Sequence, residues 1–151
     1  MNRVTLQSRA ITSREKIDRF IMESDVVRLG MISDGEPYVV PLNFVYMDNT
    51  VYFHCSSRGR KHEVLANRCR VCLEFDLMHG ISSEKADTFY TSVIAWGNAE
   101  IIRDLDLGRK VLEMLVDKYL ETGRKITDTM VDRTCIAAVR IEDVTGKENR
   151  A

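Results

Sequence analysis

From residue 26 the chain leaves the helical spacing of its first segment and takes up the two-residue period of β-strands, and tight turns separate the first runs. This restricts the fold more than any other feature, because parallel pairing needs a connection of a dozen or more residues while antiparallel strands can be joined by two. Val26–Ser33 is short and β-branched, Asp34-Gly35 is a turn signal, and Pro37–Tyr46 reads as a second strand. Asp48-Asn49 turns the chain again into Val51–Ser56, which gives a three-stranded meander. Pro41 has no N–H for a ladder, so it marks an edge, a bulge or a ligand-facing break.

The flanking segments fit around that sheet. Residues 1–10 read as an unpacked or partner-dependent arm. Ile11–Ser24 reads as a helix: Thr12 and Glu15 have capping-box spacing, and Ile17, Phe20 and Ile21 share one face. Arg58–Lys61 opens a short helix, Val71–Asp76 alternates as a strand, and the polar stretch 77–88 reads as a long loop. Tyr90–Ile102 is a long strand with Gly97 as an expected bulge. Asp104 caps a helix through Glu121 with Leu107, Val111, Met114, Leu115 and Tyr119 on its buried stripe, and residues 134–144 form a last strand. There is little βαβ repetition. The expected class is α+β, mainly β, with an antiparallel barrel as the economical way to hide strand edges.

Composition narrows the function. A chain of 151 residues is one domain's worth, and 1–151 is read as a single domain. With 22 Lys and Arg against 23 Asp and Glu the net charge is −1, which argues against a nucleic-acid partner. No apolar run reaches the ~18 residues a membrane helix needs, and the N-terminus lacks the pattern of a signal peptide. The expected setting is cytoplasmic, with Cys55, Cys69, Cys72 and Cys135 as reduced thiols.

Common chemical signatures are missing: there is no Gly-x-Gly-x-x-Gly, Walker loop, Gly-x-Ser-x-Gly or His-Glu-x-x-His. Cys69-Arg-Val-Cys72 has no second pair to complete a zinc site, so no metal is expected. His54 and Cys55, adjacent at a strand end, point to opposite faces. His62 and His79 read as solvent-facing. The most informative stretch is Cys55-Ser-Ser-Arg-Gly-Arg-Lys61 at a strand-to-helix junction. Hydroxyls at Ser56 and Ser57, cations at Arg58, Arg60 and Lys61, and a glycine that allows close backbone approach suit a phosphomonoester. A solvated basic turn is the alternative.

The blocks Val27-Arg-Leu-Gly30, Pro37-Tyr-Val-Val-Pro-Leu-Asn-Phe44, Tyr52-Phe-His-Cys-Ser56, Gly59-Arg-Lys61, Val71-Cys-Leu-Glu-Phe75 and Ser92-Val-Ile-Ala-Trp-Gly97 together resemble the nitroimidazole-resistance (Nim-like) proteins. These are flavin-binding split-barrel proteins of the pyridoxamine 5′-phosphate oxidase-like superfamily. The resemblance spans about residues 10–145 and implies a six-stranded antiparallel split β-barrel with flanking helices, a homodimer with two flavin sites at its interface, and FMN as cofactor. It further implies that Val39, Val40, Pro41, Leu42 and Asn43 run beside the flavin ring and that His54, Cys55 and Ser56 lead to the phosphate. Arg60 and Lys61 grip that phosphate, and Ser92, Val93 and Trp96 reach the flavin from the second subunit. Trp96 covers the ring, walls the pocket or packs at the interface.

The sequence departs from the true pyridoxamine-phosphate oxidases. Tyr38 and Asn43 stand where that group has Arg and Lys, and Thr91-Ser92 replaces an Arg-Gln pair. The resemblance does not extend to that group's C-terminal substrate segment. The expected activity is therefore an FMN-dependent oxidoreductase acting on a small planar acceptor such as a nitroaromatic, with His54 as proton donor or polar anchor. FAD and haem are alternative cofactors, His54 being a possible axial ligand. A non-enzymatic flavin or haem carrier, or a redox sensor, is the alternative function.

Overall fold

Eight strands form one antiparallel sheet in the computed structural model, which describes Val4, residues 6–120 and residues 123–150. The strands are β1 (Ala10–Ile11), β2 (Val27–Ser33), β3 (Glu36–Leu42), β4 (Val45–Met47), β5 (Thr50–Cys55), β6 (Arg70–Ser82), β7 (Asp87–Ile102) and β8 (Cys135–Asn149). They lie in the order β3-β2-β6-β7-β8-β5-β4, with β1 on β8. The helices are α1 (Arg14–Glu23), α2 (Arg60–Leu65), α3 (Leu105–Tyr119) and α4 (Asp128–Arg133).

The sheet's two edges, β3 and β4, are consecutive in the chain, so Asn43–Phe44 carries the backbone from one edge to the other. The barrel is split at this crossing, where no ladder hydrogen bonds join the two sides. Pro41 sits on an edge strand, where its missing N–H costs no ladder bond.

Strand number and pairing differ from expectation. Six strands become eight because Pro37–Tyr46 divides into β3 and β4 and because β1 forms against Lys147 and Gly146 of β8. The expected arm is thus in part a strand, preceded by a single 3-10 turn at Gln7–Arg9; residues 1–3 and 5 lie outside the described residues. The three-stranded meander is not formed either. β3 pairs with β2, whereas β5 pairs with β4 and with Cys135–Arg140 of β8, a partner that periodicity cannot reveal. The stretch 77–88 is a hairpin, with Leu77 opposite Thr91 and Ser82 opposite Asp87. Leu77, Met78 and Ile81 are exposed there, so no buried face imposed alternation on it.

Inside the barrel the two-residue period places Val27, Leu29 and Met31 of β2, Val71, Leu73 and Phe75 of β6, and Val93 and Ala95 of β7 in one core. Ile17 and Ile21 of α1 pack into that core. Phe44, at the crossing, is wholly buried edge-on to Phe75 with ring centres 5.2 Å apart. Burying a side chain of this size contributes roughly 1.5–3 kcal/mol, so the crossing is anchored by packing rather than by a ladder. A second cluster packs Val111 and Leu115 of α3 on Val45, Tyr52 and Ile136.

Local signals act as expected at several points. Asp104 caps α3, its Oδ1 accepting from Leu107 N at 3.0 Å. The helix ends at Tyr119, and Glu121 lies outside the described residues. Ser13 rather than Thr12 caps α1, accepting from Lys16 N at 3.2 Å. Gly97 marks a bulge: Trp96 faces Asp143 and Gly97 faces Ile141, so Glu142 is the extra residue of β8. A Cβ on Gly97 would lie 2.0 Å from the Arg140 carbonyl oxygen, which only glycine avoids. Helix α4, capped by Thr127, was not legible in the sequence. No helix among the described residues is long and apolar enough to cross a membrane.

Candidate functional site

The expected site residues fall in three places. The first is the strand-to-helix junction. β5 ends at Cys55, and Gly59 begins α2 with φ at +98°, a conformation that favours glycine. Ser56 Oγ accepts from Arg58 N at 3.2 Å, folding the turn back on itself. Arg60 is exposed, yet its guanidinium is tied to the neighbouring hairpin. Its Nε donates to Ser33 Oγ at 2.8 Å, an Nη donates to the Ser33 carbonyl at 3.3 Å, and its guanidinium lies 4.6 Å over the Tyr38 ring. Two of five N–H donors are thereby engaged among the described residues, and the head is fixed against the β2–β3 hairpin. Lys61 follows, close enough to Cys55 for its charge to act on that thiol.

The second place is a groove of about 330 Å³ on the outer sheet face. One cross-strand row runs Val39–Gly30–Cys72–Trp96, read from the β3–β2, β2–β6 and β6–β7 registers. Ile32 and Pro37 extend it toward the hairpin, while the Tyr38 ring under Arg60 packs on the opposite, core side of β3. Ile32 and Val39 are 60% and 61% exposed, unusual for paired aliphatic strand residues. Arg28, salt-bridged to Glu74 and Asp76, carries charge along the same sheet face.

The third place is a cavity of about 300 Å³ between the crossing and α3. Asn43 and His54 line it together with Tyr119, Leu115, Arg124 and Met130. His54 is exposed on β5 while Cys55 is buried, as their alternation requires. The Tyr119 hydroxyl accepts from Phe44 N at 3.0 Å and lies 3.1 Å from the Phe44 carbonyl and 2.8 Å from the Asp25 carbonyl. Burial raises the Tyr119 phenol, keeping it a neutral donor. Lys118 donates to the Ser24 carbonyl at 2.7 Å and sits 3.9 Å over the Phe44 ring; burial lowers its ammonium. The last turn of α3 therefore fixes the crossing, and with it Asn43.

His54 and Asn43 thus share the cavity, while Val39 and Trp96 share the groove. Pro41 is exposed on the edge strand, and Val40 and Leu42 pack toward the core. Ser92 faces outward on β7, opposite Asp76 and Lys147. The side chain of Val93 is wholly inside the barrel. Cys55 is likewise turned inward, its sulfur 3.2 Å from that of Cys135. His79 lies on β6, not in a loop, with Nε2 2.8 Å from the buried Thr91 hydroxyl. Ser33, Tyr38 and Tyr119 were not singled out as site residues. The spacing of Tyr119 marked only a buried stripe, and nothing in sequence ties Ser33 to Arg60.

A family model described as pyridoxamine 5′-phosphate oxidase matches residues 13–148. Among curated proteins none matches the chain. A solved structure of a candidate 5-nitroimidazole antibiotic resistance protein from Bacteroides thetaiotaomicron is 28% identical, with a TM-score of 0.83 over 92% of this chain and 86% of that one. A flavocytochrome from Azotobacter vinelandii is 23% identical with a TM-score of 0.85, over 98% of this chain and 72% of that one. An FAD- and haem-binding protein from Mycobacterium smegmatis is 22% identical with a TM-score of 0.83, over 95% of this chain and 74% of that one. The last two likenesses are of fold.

Proposed function

The chain belongs to the pyridoxamine 5′-phosphate oxidase family, and from that premise we propose that it is a homodimeric FMN-binding oxidoreductase that reduces a small planar acceptor such as a nitroaromatic. The observation that carries the proposal is a guanidinium, Arg60, held by Ser33 and Tyr38 at a glycine-led helix start, beside the hairpin whose outer face forms an open apolar groove. A flavin mononucleotide is a flat, largely apolar ring joined to a dianion, and this donor set fits such a group. The groove of about 330 Å³ lies at the lower end of small-molecule sites, so a flavin would need a further wall. A second copy seated over Ile32, Val39 and Trp96 would supply one and cover the exposed aliphatics.

In this reading Arg60, Lys61 and Ser56 hold the phosphate. Arg60 arrives pre-oriented by Ser33 and Tyr38, so little side-chain entropy is lost on binding. The backbone from Val40 to Asn43 runs beside the ring, held in place by Phe44 and Tyr119. His54 faces the cavity and can hold or deliver a proton to a reduced acceptor. The apolar wall from α3 excludes water around it. A bound flavin supplies hydride or electron transfer. Oxidation of vitamin B6 is not proposed, because Tyr38, Asn43 and Thr91-Ser92 replace the polar side chains associated with it. FAD, or a haem ligated by the exposed His54 imidazole, is the second reading.

The test is FMN affinity, read by quenching of flavin fluorescence. The double substitution Arg60→Ala/Lys61→Ala removes two charge-assisted contacts and should cost on the order of 3–6 kcal/mol, about 10²–10⁴-fold in Kd. Ser33→Ala, which frees Arg60 but keeps its charge, should change Kd only several-fold. An unchanged Kd in the double variant would remove the phosphate assignment.

A further inference from the structure

Cys55 and Cys135 face each other at the end of the β5–β8 ladder, and nothing in the proposed flavin chemistry uses them. Their sulfurs are 3.2 Å apart, although the residues are 80 positions apart in sequence. The ladder explains the approach. Ile141 N donates to the Asn49 carbonyl at 3.0 Å, which makes that pair hydrogen-bonded. The register from Thr50–Arg140 to Cys55–Cys135 runs without a shift, so the alternation makes Cys55–Cys135 a hydrogen-bonded pair as well. Such pairs have Cα atoms about 5.5 Å apart, within the commonest disulfide spacing. The other two free cysteines, Cys69 and Cys72, are half-buried.

We propose that Cys55 and Cys135 are a reversible dithiol–disulfide site, closing one cross-strand bond at the base of the Ser56–Gly59 turn. The two thiols differ in access: Cys55 is buried and Cys135 is half-buried beside the α4 cap at Thr134. Burial, followed by the hydrogen bond to Cys135, pushes the Cys55 thiol up to about 12. Cys135 is therefore the attacking group. With a small-molecule disulfide such as oxidised glutathione, the Cys135 thiolate attacks one sulfur and expels a glutathione thiolate, giving a mixed disulfide. Cys55 then attacks the Cys135 sulfur and its proton leaves with the second glutathione. Two protein thiols are oxidised, one glutathione disulfide is reduced to two thiols, and a reducing dithiol reverses both steps. The bond forms between strands already in register, so the core need not open.

The site is independent of the flavin reading and can be tested on the chain without added cofactor. Reduced protein is equilibrated with graded ratios of reduced to oxidised glutathione, quenched with N-ethylmaleimide, and read by intact mass and peptide mapping. Alkylatable thiols should fall from four to two per chain in a single transition, with the Cys55 peptide linked to the Cys135 peptide. Dithiothreitol should restore all four. Cys55→Ser or Cys135→Ser should abolish the intramolecular bond, while the double change Cys69→Ser/Cys72→Ser should retain it. Four alkylated thiols in excess oxidised glutathione, or a bond mapped to Cys69 or Cys72, would overturn the proposal. The wild-type map alone decides this if a serine variant does not fold.

Discussion

Removing a single oxygen, by Tyr119→Phe, tests how the split in the barrel is held. The ring stays and the cluster beneath α3 keeps its shape, so the change isolates the hydroxyl. In the native chain that oxygen accepts from Phe44 N at 3.0 Å, and its one proton goes to the Asp25 carbonyl at 2.8 Å or the Phe44 carbonyl at 3.1 Å. Phe44 is wholly buried, so its N–H cannot turn to water when the oxygen is gone. An orphaned buried donor costs about 1–3 kcal/mol, and the bond to the more accessible Asp25 carbonyl adds little because water replaces it. For a chain of this length each kcal/mol moves Tm by about 2–4 °C, so the expected fall is roughly 2–12 °C. Scanning calorimetry with a urea titration reads it; the urea slope should stay unchanged, because the unfolded surface does not change. FMN affinity should fall as well, since Asn43 is the residue before the freed N–H. A wild-type Tm and Kd would refute the view that the end of α3 fixes the crossing.

Two further outcomes follow from the same contacts. Acid should erode stability through Glu148, whose carboxyl is held below its usual range by hydrogen bonds from Lys16, chiefly, and Arg150. Because the folded-state pKa is depressed, this contribution is present above the unfolded value of about 4.5 and is lost as pH falls through the folded one. The acid limb of a Tm–pH curve should be shallower in Glu148→Gln than in wild type, and identical limbs would deny the linkage. On the outer face, Val39→Lys places a charge in the middle of the apolar row. Light scattering should report a dimer for wild type and a monomer for the variant, with flavin retention lost in parallel; a dimeric variant would exclude this face as the subunit contact.

Much of the architecture was legible because burial imposes a period on the sequence. The runs that became β2, β6 and β7 alternate because one face of each packs into the core, and alternation at the end of β5 puts His54 and Cys55 on opposite faces. Asp104 was readable because its job is local, capping the helix that follows it, and Gly97 because a glycine inside a strand run signals a bulge. The failures have a common cause in nonlocal pairing. Pro37–Tyr46 looks continuous, yet its two ends serve opposite sheet edges, which only the pairing of β5 with β8 decides. The hairpin at 77–88 buries neither face and so carries no alternation. In the site, cationic character at Arg60 was visible, but its anchoring by Ser33 and Tyr38 depends on how the β2–β3 hairpin meets α2. Cys55 and Cys135 meet for the same reason, through a register set 80 residues apart.

The most direct test of the proposed function is the absorption spectrum of the purified chain after incubation with FMN and removal of the unbound cofactor, with mass identification of whatever heat releases. A flavin spectrum at one FMN per chain is the expected result. A chain that retains no flavin, or that carries a Soret band instead, would contradict it.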